Sequence, residues 1–123
     1  MLRGLEEPSI HAALDELGAA GLQDDARFAA AYVHYRAGRG FGPRRIAREL
    51  ETRGVAADLI AAALAGSEYD FAALARDVRR RKFRHDPGSL AERARQTRFL
   101  EYRGFDTQQI RHALERTIDD EDF

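Results

Sequence analysis

An all-α fold built from tandem three-helix repeats is predicted, and three observations predict it. First, the chain repeats itself: Arg3-Gly4-Leu5, Arg53-Gly54-Val55 and Arg103-Gly104-Phe105 recur every 50 residues. Each is followed at the same distance by an isoleucine and a leucine: Ile10 and Leu14, Ile60 and Leu64, Ile110 and Leu114. Second, Ala, Leu, Arg and Glu, all good helix formers, are abundant, and only 3 prolines interrupt the 123 residues. Third, apolar residues fall at helical spacing, as Ile46 and Leu50 do. A repeat of this size buries little by itself and gains its stability by stacking on its neighbours.

Each element has a local reason. The first predicted helix, 8–19, carries Ile10, Ala13, Leu14 and Leu17 on one side. A second, 24–38, starts at Asp24 and Asp25, whose charge suits the exposed N–H groups of a first turn. It presents Phe28, Ala31, Tyr32 and Tyr35 inward and ends at Gly38 to Gly40. Pro43 opens the next, 43–53, where its missing N–H is harmless. Gly54 closes it, because glycine adopts the left-handed cap freely. Val55 then plugs the turn, and 56–66 buries Leu59, Ile60, Ala63 and Leu64. Helix 69–83 starts at Asp70 and shows Leu74, Ala75 and Val78. Pro87-Gly88 breaks the chain, and Ser89 caps 89–103, whose face is Leu90, Ala94, Thr97 and Leu100. Thr107 is placed at the N-cap of 107–117, and a last turn is placed in 118–122. The expected organisation is 1–20 as the last helix of a preceding repeat, three-helix repeats at 21–67 and 68–118, and an acidic tail at 119–123.

Composition excludes several classes. Hydrophobic residues are 44% and charged residues 33%, which argues against wholesale disorder. The absence of cysteine removes disulfides, thiolate chemistry and cysteine-held metals. No apolar run is long enough for a signal peptide or a membrane span, so a cytoplasmic location is expected. His11, His34, His85 and His112 have no helical pairing with one another and read as surface or boundary residues. Arg39-Gly40-Phe41-Gly42-Pro43 lacks the spacing of a phosphate-cradling loop and reads as a turn between helices. Glu6-Glu7 and Asp24-Asp25 are adjacent rather than opposed across a cleft. An enzyme is not expected, nor a metal, a cofactor, a small-molecule substrate or a membrane partner.

The net charge of −1 hides an uneven spread. From Met1 to Asp25 there are six acidic residues against one basic, and from Glu115 to Phe123 five against one. From His34 to Arg53 there are six basic against two acidic, and from Arg76 to Arg103 ten against four. Arg44, Arg45 and Arg48 form a stripe opposite Ile46 and Leu50. Arg79, Arg80, Arg81, Lys82 and Arg84 crowd the end of a helix, where the dipole alone favours positive charge. With Arg36, Arg39, Arg95, Arg98 and Arg103 these define the candidate contact surface for phosphate or an acidic protein face. They are not interleaved in sequence with exposed aromatics in the manner of a stacking groove for single strands.

The segment Gln23-Asp24-Asp25-Ala26-Arg27-Phe28-Ala29, then Arg39-Gly40-Phe41-Gly42-Pro43-Arg44-Arg45-Ile46, then Leu50-Glu51-Thr52-Arg53-Gly54-Val55 resembles the signature region of RecX regulatory proteins. Arg81-Lys82-Phe83 and Arg98 to Phe105 are similar to later parts of the family pattern. The resemblance spans residues 5–117. It implies three tandem three-helix repeats and binding to the RecA filament on single-stranded DNA. It further implies modulation, usually inhibition, of ATP hydrolysis, strand exchange and coprotease function. The family pattern has two more helices before the position of Leu5. Two other readings of the residues stay open: a nucleic-acid-binding repeat protein without recombinase contact, and a helical protein–protein adaptor.

Overall fold

The computed structural model describes residues 22–115. The predicted helix 8–19 and the turn in 118–122 lie outside them. Six helices are present among the described residues, arranged as tandem three-helix-like repeats: α1 Leu22–Gly38, α2 Pro43–Thr52, α3 Ala57–Ala65, α4 Phe71–Lys82, α5 Leu90–Arg103 and α6 Thr107–Leu114.

The turns show the repeat in its hydrogen bonds. At the end of α2, Gly54 N–H donates to Glu51 O at 2.9 Å and Val55 N–H to Leu50 O at 3.1 Å. Fifty residues on, Gly104 donates to Glu101 O at 3.0 Å and Phe105 to Leu100 O at 3.1 Å. The end of α1 is the same motif, with Gly40 donating to Ala37 O at 2.9 Å and Phe41 to Arg36 O at 3.1 Å. The three glycines have φ of 88°, 85° and 104° in chain order, the left-handed cap in which a following apolar residue folds back on the helix. Phe41, Val55 and Phe105 are accordingly all buried.

The starts of α4, α5 and α6 are capped by short polar side chains, whereas α3 starts at Ala56 with no side-chain cap. Asp70 accepts from Ala72 and Ala73 N–H at 3.1 Å each, and Ser89 accepts from Glu92 N–H at 3.1 Å. The last cap differs from expectation: Asp106, not Thr107, caps α6. Its carboxylate accepts from Gln109 N–H at 2.8 Å while Gln109 Oε1 accepts from Asp106 N–H at 2.9 Å, a reciprocal capping box that threonine one residue later cannot form.

The described residues divide into two compact units that alternate along the sequence: 22–35 with 47–68, and 36–46 with 69–115. In the first unit Phe28, Ala29, Tyr32, Val33, Leu50, Val55 and Ile60 are buried. Tyr32 spends its hydroxyl on Glu49 Oε1 at 3.0 Å. Leu59, Ala63 and Leu64 are only half-buried, so α3 hides a narrower face than its apolar sequence suggests. In the second unit the core joins Ala75 and Val78 of α4, Leu100 of α5, Phe105, and Ile110, Ala113 and Leu114 of α6, flanked by Phe71, Leu74 and Phe99. Leu90, expected on the inner face of α5, is 85% exposed. The start of α5 projects beyond the core, and Gln96 is buried a turn and a half further on.

The second unit is closed by a backbone clasp. Gly42 N–H donates to Arg103 O at 2.8 Å, and Arg44 N–H donates to Gly104 O at 2.9 Å. A Cβ on Gly42 would lie 2.5 Å from the carbonyl atoms of Gly104, so only glycine lets these two turns meet.

Candidate partner-binding surface

The twelve candidate cations take three different places. Two are inside. Arg36 is 6% exposed, with its guanidinium 4.0 Å above the Phe41 ring. Arg79 is 3% exposed and ties the α4–α5 loop to its own helix. It donates from Nη1 to His85 O and from Nη2 to Asp86 Oδ1, each at 2.9 Å, while Gln96 Nε2 donates to the same His85 carbonyl at 3.3 Å. Burial pulls the Arg79 guanidinium below its ordinary range, and the Asp86 carboxylate opposes that shift. These two arginines hold the fold, and their surfaces are spent on it.

A second set is half-buried and stacked on rings. Arg45 and Arg103 each lie 4.5 Å from the Phe41 centroid, so Phe41 is shared by three guanidiniums including Arg36. Arg45 also stands 5.1 Å from the Tyr102 ring and donates to Tyr102 O at 3.3 Å. Arg103 lies 5.7 Å from Phe99, and two exposed cations share this contact: Lys82 stands 5.8 Å from Phe99 and Arg95 lies 5.7 Å from Phe83. Phe83 meets Phe99 edge-on at 5.5 Å. Such contacts are worth about 0.5–1 kcal/mol each at exposed sites and ~2 kcal/mol when desolvated. The same device recurs in the first unit, where Arg53, the repeat counterpart of Arg103, lies 5.4 Å from Tyr32 and 5.9 Å from Phe28.

The third set faces solvent. Arg44 and Arg48 lie one turn apart on α2; Arg80, Arg81 and Lys82 end α4; Arg95 and Arg98 lie on α5. Within the second unit Arg39, Arg81, Lys82 and Arg103 rim a groove of about 410 Å³ whose apolar lining is Val78 and Phe99, with Gly40 beside them. Among the described residues no carboxylate lines it, so the groove suits a phosphate or carboxylate bearing a flat or apolar group.

Sequence reasoning missed the aromatics of this surface. Phe41, Phe83, Phe99 and Tyr102 interleave with the cations in space though not in sequence, and Tyr102 is 75% exposed. The sequence signal for them is the Tyr102-Arg103 pair at the end of α5, a ring next to a cation. Among the described residues there is no group of three or more His, Cys, Asp or Glu able to hold a metal ion. Nor is any of their helices long and apolar enough to cross a membrane.

Comparison with known proteins places this surface in context. Residues 24–64 match the family description "RecX, second three-helix domain", and residues 68–114 match "RecX, third three-helix domain". The regulatory protein RecX of Xanthomonas axonopodis pv. citri (strain 306) is 43% identical over 121 residues, covering 98% of this chain and 75% of that protein. That of Stenotrophomonas maltophilia (strain R551-3) is 43% identical over 119 residues, covering 96% of this chain and 73% of that protein.

Proposed function

The chain belongs to the RecX family, and from that premise we propose that it is a regulatory protein, not an enzyme, that binds the RecA filament on single-stranded DNA and restrains its ATP hydrolysis, strand exchange and coprotease function. The observation that carries the contact surface is the basic groove of the second unit, with four cations and no carboxylate among the described residues that line it. Arg44 adds a solvent-facing cation to the same unit. On this reading 21–67 and 68–118 are the second and third repeats of the family, 1–20 is the last helix of the first, and 119–123 is an acidic tail. The deciding experiment follows ATP hydrolysis by the recombinase on single-stranded DNA as this chain is added. A concentration-dependent fall supports the proposal; an unchanged rate at saturating chain removes it.

A second reading, direct contact with the single strand, is favoured by one observation: exposed Tyr102 stands beside Arg45, a ring next to a cation. Bases stack on such rings without sequence preference while phosphates meet the cations. Binding to a bare oligonucleotide that falls with Tyr102→Ala supports it; binding indifferent to that change favours the filament's protein surface instead.

A further inference from the structure

We propose that the basic groove of the second unit holds an acidic peptide segment, with one apolar side chain against Val78 and Phe99 and neighbouring carboxylates on Arg81 and Lys82. That this segment belongs to the recombinase rests on the function proposed above; the groove's preference for such a peptide does not. The groove has an apolar floor and a charged rim. Gly40 opens the floor by lacking a side chain: a Cβ there would stand 3.2 Å from Val78 Cγ2 and 3.4 Å from Arg103 Nη2. Arg39 and Arg103 are already engaged within the protein and form the fixed wall. Arg81 and Lys82 are the exposed cations of the rim. Arg81 makes no ion pair among the described residues, and Asp77, one turn back on α4, does not line the groove. Lys82 stands over Phe99 at 5.8 Å, a contact that leaves its charge unneutralised. The negative end of α4 offsets only about half a charge, so the four cations leave the groove positive.

A single strand and an acidic peptide both answer to such a charge, and the ring inside the groove favours the peptide. A base binds a protein ring by stacking on its open face. Phe99 offers no such open platform: it is half-buried, Arg103 and Lys82 stand over it at 5.7 and 5.8 Å, and Phe83 meets it edge-on at 5.5 Å. The open ring of this unit, Tyr102, does not line the groove. An aliphatic side chain needs apolar contact but no stacking geometry, so it fits beside a ring already attended by cations. A guanidinium matches a carboxylate as one planar fork matches another, which suits Arg81 to Asp or Glu. The site thereby selects an acidic segment that carries an apolar residue over one that does not.

The test titrates the full, isotope-labelled chain with the peptide acetyl-Glu-Asp-Leu-Asp-Glu-amide, without DNA or recombinase, and follows amide chemical shifts. The expected result is saturable movement of the amides of 39–41, 78–82 and 99–103. Replacing the peptide's leucine by serine should weaken binding about tenfold, the share of one partly buried leucine side chain. Arg81→Glu, a change at an exposed helix end, should weaken it about three- to tenfold. Arg84→Glu makes the same charge change at an exposed residue that does not line the groove. It should alter affinity less than about twofold at ~0.15 M salt, where the Debye length is about 8 Å. Still amides, equal affinity for the leucine and serine peptides, or equal weakening by Arg81→Glu and Arg84→Glu overturns the proposal. So does a short oligo-dT that moves the same amides at lower concentration than the peptide, which would assign the groove to the single strand. The titration contains no recombinase, so the two readings fail separately. Peptide binding beside an unchanged rate of ATP hydrolysis removes the filament function alone. A fall in ATP hydrolysis beside a silent groove removes the peptide site alone.

Discussion

Replacing glycine by alanine at the two repeat-equivalent caps should give unequal losses, and the difference measures the backbone clasp. Gly54 and Gly104 each follow an arginine and precede a buried apolar residue, and both have left-handed backbones, with φ of 85° and 104°. At Gly54 an added Cβ meets nothing within 4 Å, so Gly54→Ala costs only the left-handed conformation, roughly 1–2 kcal/mol. At Gly104 the same atom would collide with the Arg45 side chain and lie 2.7 Å from Arg45 N, backbone that cannot swing aside. Forced shifts in a packed site add about 1–3 kcal/mol. Each inter-turn hydrogen bond lost adds ~1 kcal/mol. Gly104→Ala should therefore cost about 2–5 kcal/mol with the clasp bonds kept and up to about 7 kcal/mol with both lost, a large share of the 5–15 kcal/mol typical of a domain. Gly42→Ala supplies the complementary arm, since its backbone is not left-handed and its whole cost comes from the approach to Gly104. Urea unfolding followed by far-ultraviolet circular dichroism reads the three losses. A 2 kcal/mol difference moves the midpoint by about 1 M at an ordinary denaturant slope. Equal losses at Gly54 and Gly104 would refute the reasoning, because the close approach of Arg45 would then carry no cost.

Further expectations concern the core, the caps and the surface. Leu50→Ala should cost roughly 2–5 kcal/mol as a fully buried leucine, and half-buried Leu64→Ala about half as much, read in thermal melts. Asp106→Ala should destabilise by about 1 kcal/mol through loss of the capping box, while Thr107→Ala should change little in the same assay. Arg79→Met should cost roughly 1.5–3 kcal/mol and release the 84–88 loop, seen as faster hydrogen exchange there, because charge-assisted hydrogen bonds to His85 and Asp86 are lost. Arg44→Ala with Arg48→Ala should weaken filament binding and leave the melting curve unchanged. If both side chains touch single-strand phosphates, the log–log salt slope for the bare strand falls by about 1.4, and if they touch protein it does not move.

Much of the fold could be read from the chain because its signals are local. The Gly-apolar pair after each helix, Asp70 and Ser89 before the next, and Pro43 at a first turn all act within a few residues of themselves. Asp106 was missed by one position because Asp and Thr are both good caps, and only the return bond from Gln109 distinguishes them. Arg36 and Arg79 could not be recognised as interior residues. Each sits in a charged stretch that looks like a solvated face, and each is tolerated inside by a group beyond the end of its own helix, the Phe41 ring for one and the 85–86 loop for the other. Leu90 erred the other way: helical periodicity marks a face but not how far along the helix the neighbours extend. The candidate surface was legible as charge and illegible as geometry. Helical spacing found Arg44 with Arg48 and the run that ends α4, whereas the pairing of Arg45 with Tyr102, and of Arg103 with Phe41, needs chain segments that no short-range pattern connects.

The clasp also bears on the order in which the chain acquires its structure. The contact between Arg45 and Tyr102 spans 57 residues, and the unit it belongs to is made of 36–46 and 69–115 with another stretch in between. On a ribosome adding about 5–20 residues per second, the Gly40–Gly42 turn waits roughly 3–12 s for its acceptors to be made. During that wait Phe41 and the three cations destined for it, one of them not yet synthesised, lack their final environment. Completion of the unit depends on late arrival of the Arg103-Gly104 turn, a non-local pairing of the kind that slows folding in otherwise helical proteins. A nascent chain stalled before residue 103 would therefore hold its early helices without the closure that fixes the basic groove.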